Sequence, residues 1–261
     1  MNLNGKTVLI TGGGSGIGLE ATKQILENGA RVIITGRNQA KLDAAKAAYP
    51  NLIAIKSDAG NAEDAQALYD RIKDIGGIDI LYNNAGVGVA PHNLGIKSDR
   101  HYQGAAYEME VNFLGVVRLN NLFMEMLRSR KEAAIINTTS ILSMVPSNIE
   151  ATYSASKAAL SSYTKSLREH LMILGSKVKV FELLPPLVDT DMVAERDDKK
   201  ISPEKLVKEL IHGLKKDRYT IRVGDAKLVY VLNRLFPRLT FGLINPKKLT
   251  KNLKQIAERC D

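Results

Sequence analysis

Tyr153 and Lys157 lie four positions apart in Thr152-Tyr153-Ser154-Ala155-Ser156-Lys157, inside a segment rich in Ala, Ser and Leu that reads as one helix from about Ala151 to Leu174. That spacing sets both side chains on one helical face, where an ammonium lowers the energy of a phenolate. A tyrosine so placed can exchange a proton with a substrate oxygen. Such a pair arises often by chance, and its neighbours give it meaning. Ser140 stands just after an apolar run, thirteen residues before the tyrosine, and Asn112 lies in Val111-Asn112-Phe113-Leu114-Gly115 on a preceding helical segment.

A second cluster, Thr11-Gly12-Gly13-Gly14-Ser15-Gly16-Ile17-Gly18, follows the first apolar run directly and opens a helical pattern. Glycines in this setting permit a tight turn and let the backbone approach a pyrophosphate, while the amides and dipole of the next helix face the anion. Gly12, Ser15, Gly16, Ile17 and Gly18 are the candidates on that turn. Glycines also serve ordinary turns, so the strand-turn-helix setting carries the argument. Asn83-Asn84-Ala85-Gly86 closes a later apolar run.

The elements that must position these residues alternate. Short β-branched runs at Thr7 to Ile10, Arg31 to Thr35, Leu52 to Ile55, Ile78 to Leu81, Ala133 to Thr138 and Val178 to Leu184 read as strands, with another near Thr220 to Val223. Helical patterns fill the gaps. The order implies β-α-β units and hence an α/β, Rossmann-like, doubly wound parallel sheet of about seven strands with helices on both faces. Two insertions, Val87 to Gln103 and Asp189 to Ile201, fall after strands, where they can shape a pocket. No repeat or flexible linker divides the chain, so one domain over residues 1–261 is expected, with a helical extension over about 225–261 containing segments at Lys227 to Phe236 and Lys247 to Glu258.

Composition narrows the function classes. The chain has 261 residues, 44% hydrophobic, enough for a sizeable core. No run reaches the roughly 18 apolar residues of a membrane span, and the start MNLNGKTVLI lacks a signal-peptide pattern, so a cytoplasmic protein is expected. Cys260 is the single cysteine, which excludes an intramolecular disulfide and a cysteine-rich metal site. Residues 195–261 hold 17 Lys and Arg against 9 Asp and Glu, which is most of the formal +9. A solvated basic face is the ordinary reading. The absence of Trp and of any nucleic-acid-binding motif argues against nucleic acid as a partner.

Taken in order and spacing, the glycine turn, Asn-Asn-Ala-Gly, Asn112, Ser140 and Tyr-x-x-x-Lys resemble the short-chain dehydrogenase/reductase family over about residues 5 to 190. The resemblance implies that Tyr153 donates a proton to a carbonyl oxygen that Ser140 also hydrogen-bonds, with hydride coming from a nicotinamide. Lys157 would bind the ribose hydroxyls and depress the Tyr153 pKa, and Asn112 would hold a water linking Lys157 to solvent. Such a reaction needs a proton source and a positioned donor at the developing alkoxide, and no metal. Asn84 and Gly86, with Asp58 after the third strand, would contact the cofactor; Asp58 could otherwise be a helix cap.

The second strand ends Ile34-Thr35-Gly36-Arg37-Asn38, where NAD-specific relatives usually carry an acidic residue. Arg37 in its place favours a 2′-phosphate and therefore NADP over NAD. The family's Pro-Gly-x-Val-x-Thr reads here Pro185-Pro186-Leu187-Val188-Asp189-Thr190. Proline at 186 stiffens that loop, while Pro185, Val188 and Thr190 keep their cofactor positions. This variant, with the stretch Tyr219 to Asn245, is similar to a bacterial subgroup named for an association with lipoteichoic acid D-alanylation. The resemblance implies a homo-oligomer, a dimer or tetramer, acting on a small-molecule carbonyl or alcohol. Met144, Val145, Leu187, Met192 and Val193 suggest an apolar pocket.

His92, His101, His170 and His212 lack metal-ligand company and stay outside the site. The stretch Leu228 to Leu239 joins apolar residues to flanking cations, a pattern that fits either a membrane-surface helix or one packed on the core or on another subunit. The packed reading, without membrane contact, is the expectation. A catalytically idle NADP sensor and a membrane-surface scaffold are the rival functions.

Overall fold

The computed structural model describes residues 1–89, 98–194 and 198–247. Seven strands form one parallel sheet: β1 (Thr7–Thr11), β2 (Arg31–Gly36), β3 (Ile53–Lys56), β4 (Ile80–Asn83), β5 (Ala133–Thr138), β6 (Val178–Leu184) and β7 (Thr220–Arg222), in the order β3-β2-β1-β4-β5-β6-β7. Helices α1 (Gly16–Glu27), α2 (Gln39–Ala48), α3 (Ala62–Asp74), α4 (Asp99–Met109), α5 (Gly115–Arg128), α6 (Ala151–Ile173) and α7 (Pro203–Lys215) connect them. The doubly wound reading of the sequence is thus observed.

Both faces of the sheet are covered, which is why the central strands are apolar without alternation. Ile10, Ile34, Tyr82 and Ile136 pack on one face with α1 and α7, while Leu9, Ile33, Leu81 and Ile135 pack on the other with α3 and α5. Strand β4 begins two residues later than its apolar run. The Ile78 N–H points to Met126 Sδ and its carbonyl accepts from Arg130 Nε, so its backbone bonds to the end of α5 instead of a strand. The ladder to β5 starts at Ile80↔Ala134.

Two features escaped the sequence pattern. Asn112 sits in a π-helical turn, Glu110–Leu114, between α4 and α5. After β7, α8 (Ala226–Leu235) matches the segment read at Lys227 to Phe236, but α9 (Pro237–Ile244), which follows at once, is not marked by the pattern. Pro237 stands at the first position of α9, where its missing N–H costs nothing. These two helices are only partly covered by their own chain: α8 buries Ala226 and α9 buries Thr240. No described helix is long and apolar enough to cross a membrane. His92, Cys260, the middle of the first insertion, part of the second and all but Lys247 of the expected terminal helix lie outside the described residues.

Candidate active site

β1 and β4 are neighbours in the sheet although their crossovers run to opposite sides, so a crevice opens beyond their carboxyl ends. A cleft of about 1350 Å³ occupies it. Gly12 and Gly16 hold φ of 65° and 51°, the left-handed region that glycine enters freely. A methyl on Gly12 would stand 3.1 Å from Ala85 Cα, and one on Gly16 would stand 3.1 Å from Thr190 Cγ2, so the turn is a cradle that side chains would fill. Gly18 lets α1 close on the turn, since a methyl there would lie 2.1 Å from the Gly12 carbonyl oxygen. The Thr11 hydroxyl accepts from the Asn84 and Ala85 amides at 3.0 Å each, and Asn84 Nδ2 donates to the Thr11 carbonyl at 3.0 Å, tying the end of β4 to the turn.

Ser140, Tyr153 and Lys157 share the opposite wall. Leu142 N–H donates to Ser140 Oγ at 3.1 Å, which leaves the serine proton free to be given. Lys157 Nζ donates to the Thr138 carbonyl at 3.0 Å and lies 5.8 Å from the centre of the Tyr153 ring. Burial pulls the ammonium down to about 8. Burial also pushes the Tyr153 phenol above its ordinary range, reinforced by Glu150 and Glu108 and opposed by Ser140. Burial is the largest of these causes, and Lys157 is not among them.

Of the residues singled out in the sequence, Gly12, Ser15, Gly16, Ile17, Arg37, Asp58, Asn84, Gly86, Ser140, Tyr153, Lys157, Pro185, Val188 and Thr190 line the cleft. Gly18 and Asn112 do not. Asn112 is fully buried: Nδ2 donates to the Val87 carbonyl at 2.8 Å and to Ser156 Oγ at 3.0 Å, and Oδ1 accepts from Val87 N–H at 2.8 Å. It holds the loop after β4, with Gly86 keeping space between it and Lys157: a methyl there would meet Lys157 Nζ at 3.1 Å and Asn112 Oδ1 at 3.3 Å.

At the far end, Arg37 packs on the Tyr107 ring, donates to its hydroxyl and stands 4.0 Å from Asp58 Oδ2. Asp58 is not the cap of α3; Asn61 is, accepting from Asp64 N–H at 2.9 Å. Two residues here went unnoticed in the sequence. Tyr107 comes from α4, and Lys41 on α2 pairs with Asp191 on the opposite lip at 2.8 Å. Lys41 follows the Asn38 cap by three residues, and only that closeness to Arg37 hinted at a second cation.

The substrate end differs from expectation. Leu187, Met192 and Val193 line the cleft, but Met144 and Val145 do not, and Val145 is buried. Asn233 and Asn245 hold that loop instead, donating to the Met144 carbonyl at 3.2 Å and the Pro146 carbonyl at 2.9 Å. Ile149, Val229, Leu243 and Ile244 supply the apolar wall. Another cavity, about 650 Å³, lies around Lys6, Glu132 and Lys179 at the amino ends of the strands. Those charges pair with one another, and the glycine turn and Tyr153 are absent from its lining.

Known proteins share this fold. The sequence profile of the short chain dehydrogenase family matches residues 6–201. The uncharacterized oxidoreductase DltE of Bacillus subtilis (strain 168) is 37% identical over 228 residues, spanning 85% of this chain and 89% of its own. The crystal structure of a short chain dehydrogenase from Burkholderia cenocepacia J2315 in complex with NADP superposes with a TM-score of 0.82 at 28% identity, over 94% of this chain and 99% of that one. A short chain dehydrogenase/reductase from Burkholderia phymatum in complex with NAD superposes at 0.79 with 25% identity, over 88% and 93%. The chain therefore belongs to the short-chain dehydrogenase/reductase family of NAD(P)-dependent oxidoreductases.

Proposed function

We propose that this protein is an NADP-dependent carbonyl reductase or secondary-alcohol dehydrogenase acting on a small, hydrophobic substrate, with residues 1–261 forming one catalytic domain. The observation that carries the reading is the convergence of Ser140, Tyr153 and Lys157 on one wall of a cleft whose other end is a glycine cradle. When bound, the nicotinamide supplies or accepts the hydride.

The chain's own residues do the rest. Burial keeps the Tyr153 phenol protonated at neutral pH, the state a donor to a carbonyl oxygen needs. Ser140, its oxygen already engaged by Leu142 N–H, gives its proton toward the same oxygen. Lys157 spends one N–H on Thr138 and keeps two for ribose hydroxyls. Asn112 positions the loop that closes over Tyr153, where a methyl on Gly88 would touch the ring at 3.5 Å. Gly12, Ser15, Gly16, Ile17 and Thr190 receive the pyrophosphate, with Gly18 allowing the helix to close on the turn; Asp58, Asn84, Gly86, Pro185 and Val188 flank the rest of the cofactor.

The preference for NADP rests on Arg37, with Lys41 in the same wall and no acidic residue at the end of β2. Ile149, Leu187, Met192, Val229 and Leu243 support an apolar substrate. Fluorescence titration with NADPH and NADH, followed by a panel of ketones and aldehydes, tests both parts. Arg37→Ala should weaken NADPH roughly 10- to 100-fold and NADH by less than about threefold, the range of a charged hydrogen bond. Equal losses for both would end the case for NADP, and binding without turnover across the panel would favour the sensor.

A further inference from the structure

Helices α8 and α9 present an apolar face that nothing in the described chain covers. Leu228, Val231 and Leu235 recur at helical spacing on α8 with exposures of 60, 50 and 65%, and Phe236 and Leu239 follow at 55 and 57%. Cations share the stretch: Lys227, which pairs with Glu209 at 3.7 Å, and Arg234, Arg238 and Lys247 fall within residues 226–247, which hold no Asp or Glu. The sequence beyond, 248–261, adds four Lys and Arg against two acidic residues. Asn233 and Asn245 fix the helix pair to the rim of the cleft, and Val229, Leu243 and Ile244 line the cleft itself. A patch of this kind on a protein surface marks an interaction site.

Charge decides between occupants. A second copy meeting this face through a two-fold axis would bring together two patches of the same positive charge. An anionic bilayer accepts both features: apolar side chains enter the acyl boundary, and Lys and Arg meet the headgroups. We infer that the α8–α9 face docks on an anionic lipid surface, turning the substrate end of the cleft toward the membrane. The docking stands on this face alone; only its use, delivery of a lipid-soluble carbonyl compound to the cleft, rests on the reaction proposed above.

Co-sedimentation of the full chain with phosphatidylcholine vesicles, with and without phosphatidylglycerol, tests it. Binding to the phosphatidylglycerol vesicles is expected, at least tenfold stronger than to phosphatidylcholine alone and weakened by high salt. Leu228→Ser with Leu235→Ser, and separately Arg234→Ala with Arg238→Ala, should each lower it at least tenfold, with circular dichroism and NADPH binding retained. No sedimentation with phosphatidylglycerol vesicles at low salt overturns the inference. So does binding that neither double variant changes, which assigns it to the basic tail, and so does an oligomer that dissociates in light scattering when the leucines are replaced, which assigns the face to a second copy. Should the leucine variant fail to fold, the arginine variant decides. Loss of the oxidoreductase reading would appear separately, as absent NADPH binding with vesicle binding intact.

Discussion

At one end of the cleft the walls are backbone. Gly12 and Gly18 bring main-chain atoms close together, Gly16 makes room for the Thr190 side chain, and the Thr11 hydroxyl and Asn84 amide bolt the ends of β1 and β4 to each other. At the other end the walls are side chains, from the loop after β6 and from α8 and α9, helices that each bury a single residue. A ligand common to many chains can be held by a turn that tolerates no side chain. A ligand particular to one chain is selected where substitutions cost little stability. Between the two ends sit Ser140, Tyr153 and Lys157, the residues proposed to carry the chemistry.

The comparison can be broken at its centre first. Tyr153→Phe should lower kcat about 10²- to 10⁴-fold, the usual worth of a positioned proton donor, and leave NADPH affinity in fluorescence titration unchanged; near-normal turnover would remove the tyrosine from the reaction. At the backbone end, Gly18→Ala forces a methyl to within 2.1 Å of the Gly12 carbonyl oxygen. The turn must open, so urea denaturation should record a loss of about 1–3 kcal/mol, and NADPH affinity should fall with it.

Lys157 offers a test of opposite sign. Burial holds its pKa at about 8 in the fold against 10.5 when exposed, so the folded state releases the proton first. That cost is present in full below pH 8 and is relieved as pH rises from 8 toward 10.5. Lys157→Met should therefore raise stability at pH 7 by about 1–3 kcal/mol, with the advantage fading by pH 10, while activity is lost. Thermal melts at the two pH values measure it. At the side-chain end, Pro186 packs against the Gly224 turn, where a methyl would touch its ring at 3.7 Å. Pro186→Gly should cost only about 0.4–1 kcal/mol, through the freedom it adds to the unfolded chain, and move KM more than kcat.

How far the residues were legible follows the same division. The glycine turn and Tyr153 with Lys157 could be read because each pattern lies within one turn or one helix, where spacing alone fixes geometry. The strands could be read because burial on both faces demands continuous apolar runs. Where a backbone bonds outside the sheet, as at Ile78, the run misplaced the strand by two residues. Tyr107 on Arg37, and Lys41 opposite Asp191, join residues from elements far apart in the chain, and no local spacing announces such a meeting.

The sequence by itself determined the fold class, the cofactor cradle and the candidate acid-base residues, since these depend on periodicity and on residue types at short separations. Only the tertiary structure decided that Val229 and Leu243 replace Met144 and Val145 in the pocket, that Asn112 serves the loop after β4, and that α8 and α9 keep their apolar face outside. It also set Tyr153 in a dry wall, where burial raises its pKa. Burial and charge at a site are sums over neighbours from the whole chain, and those neighbours exist only once the chain has folded.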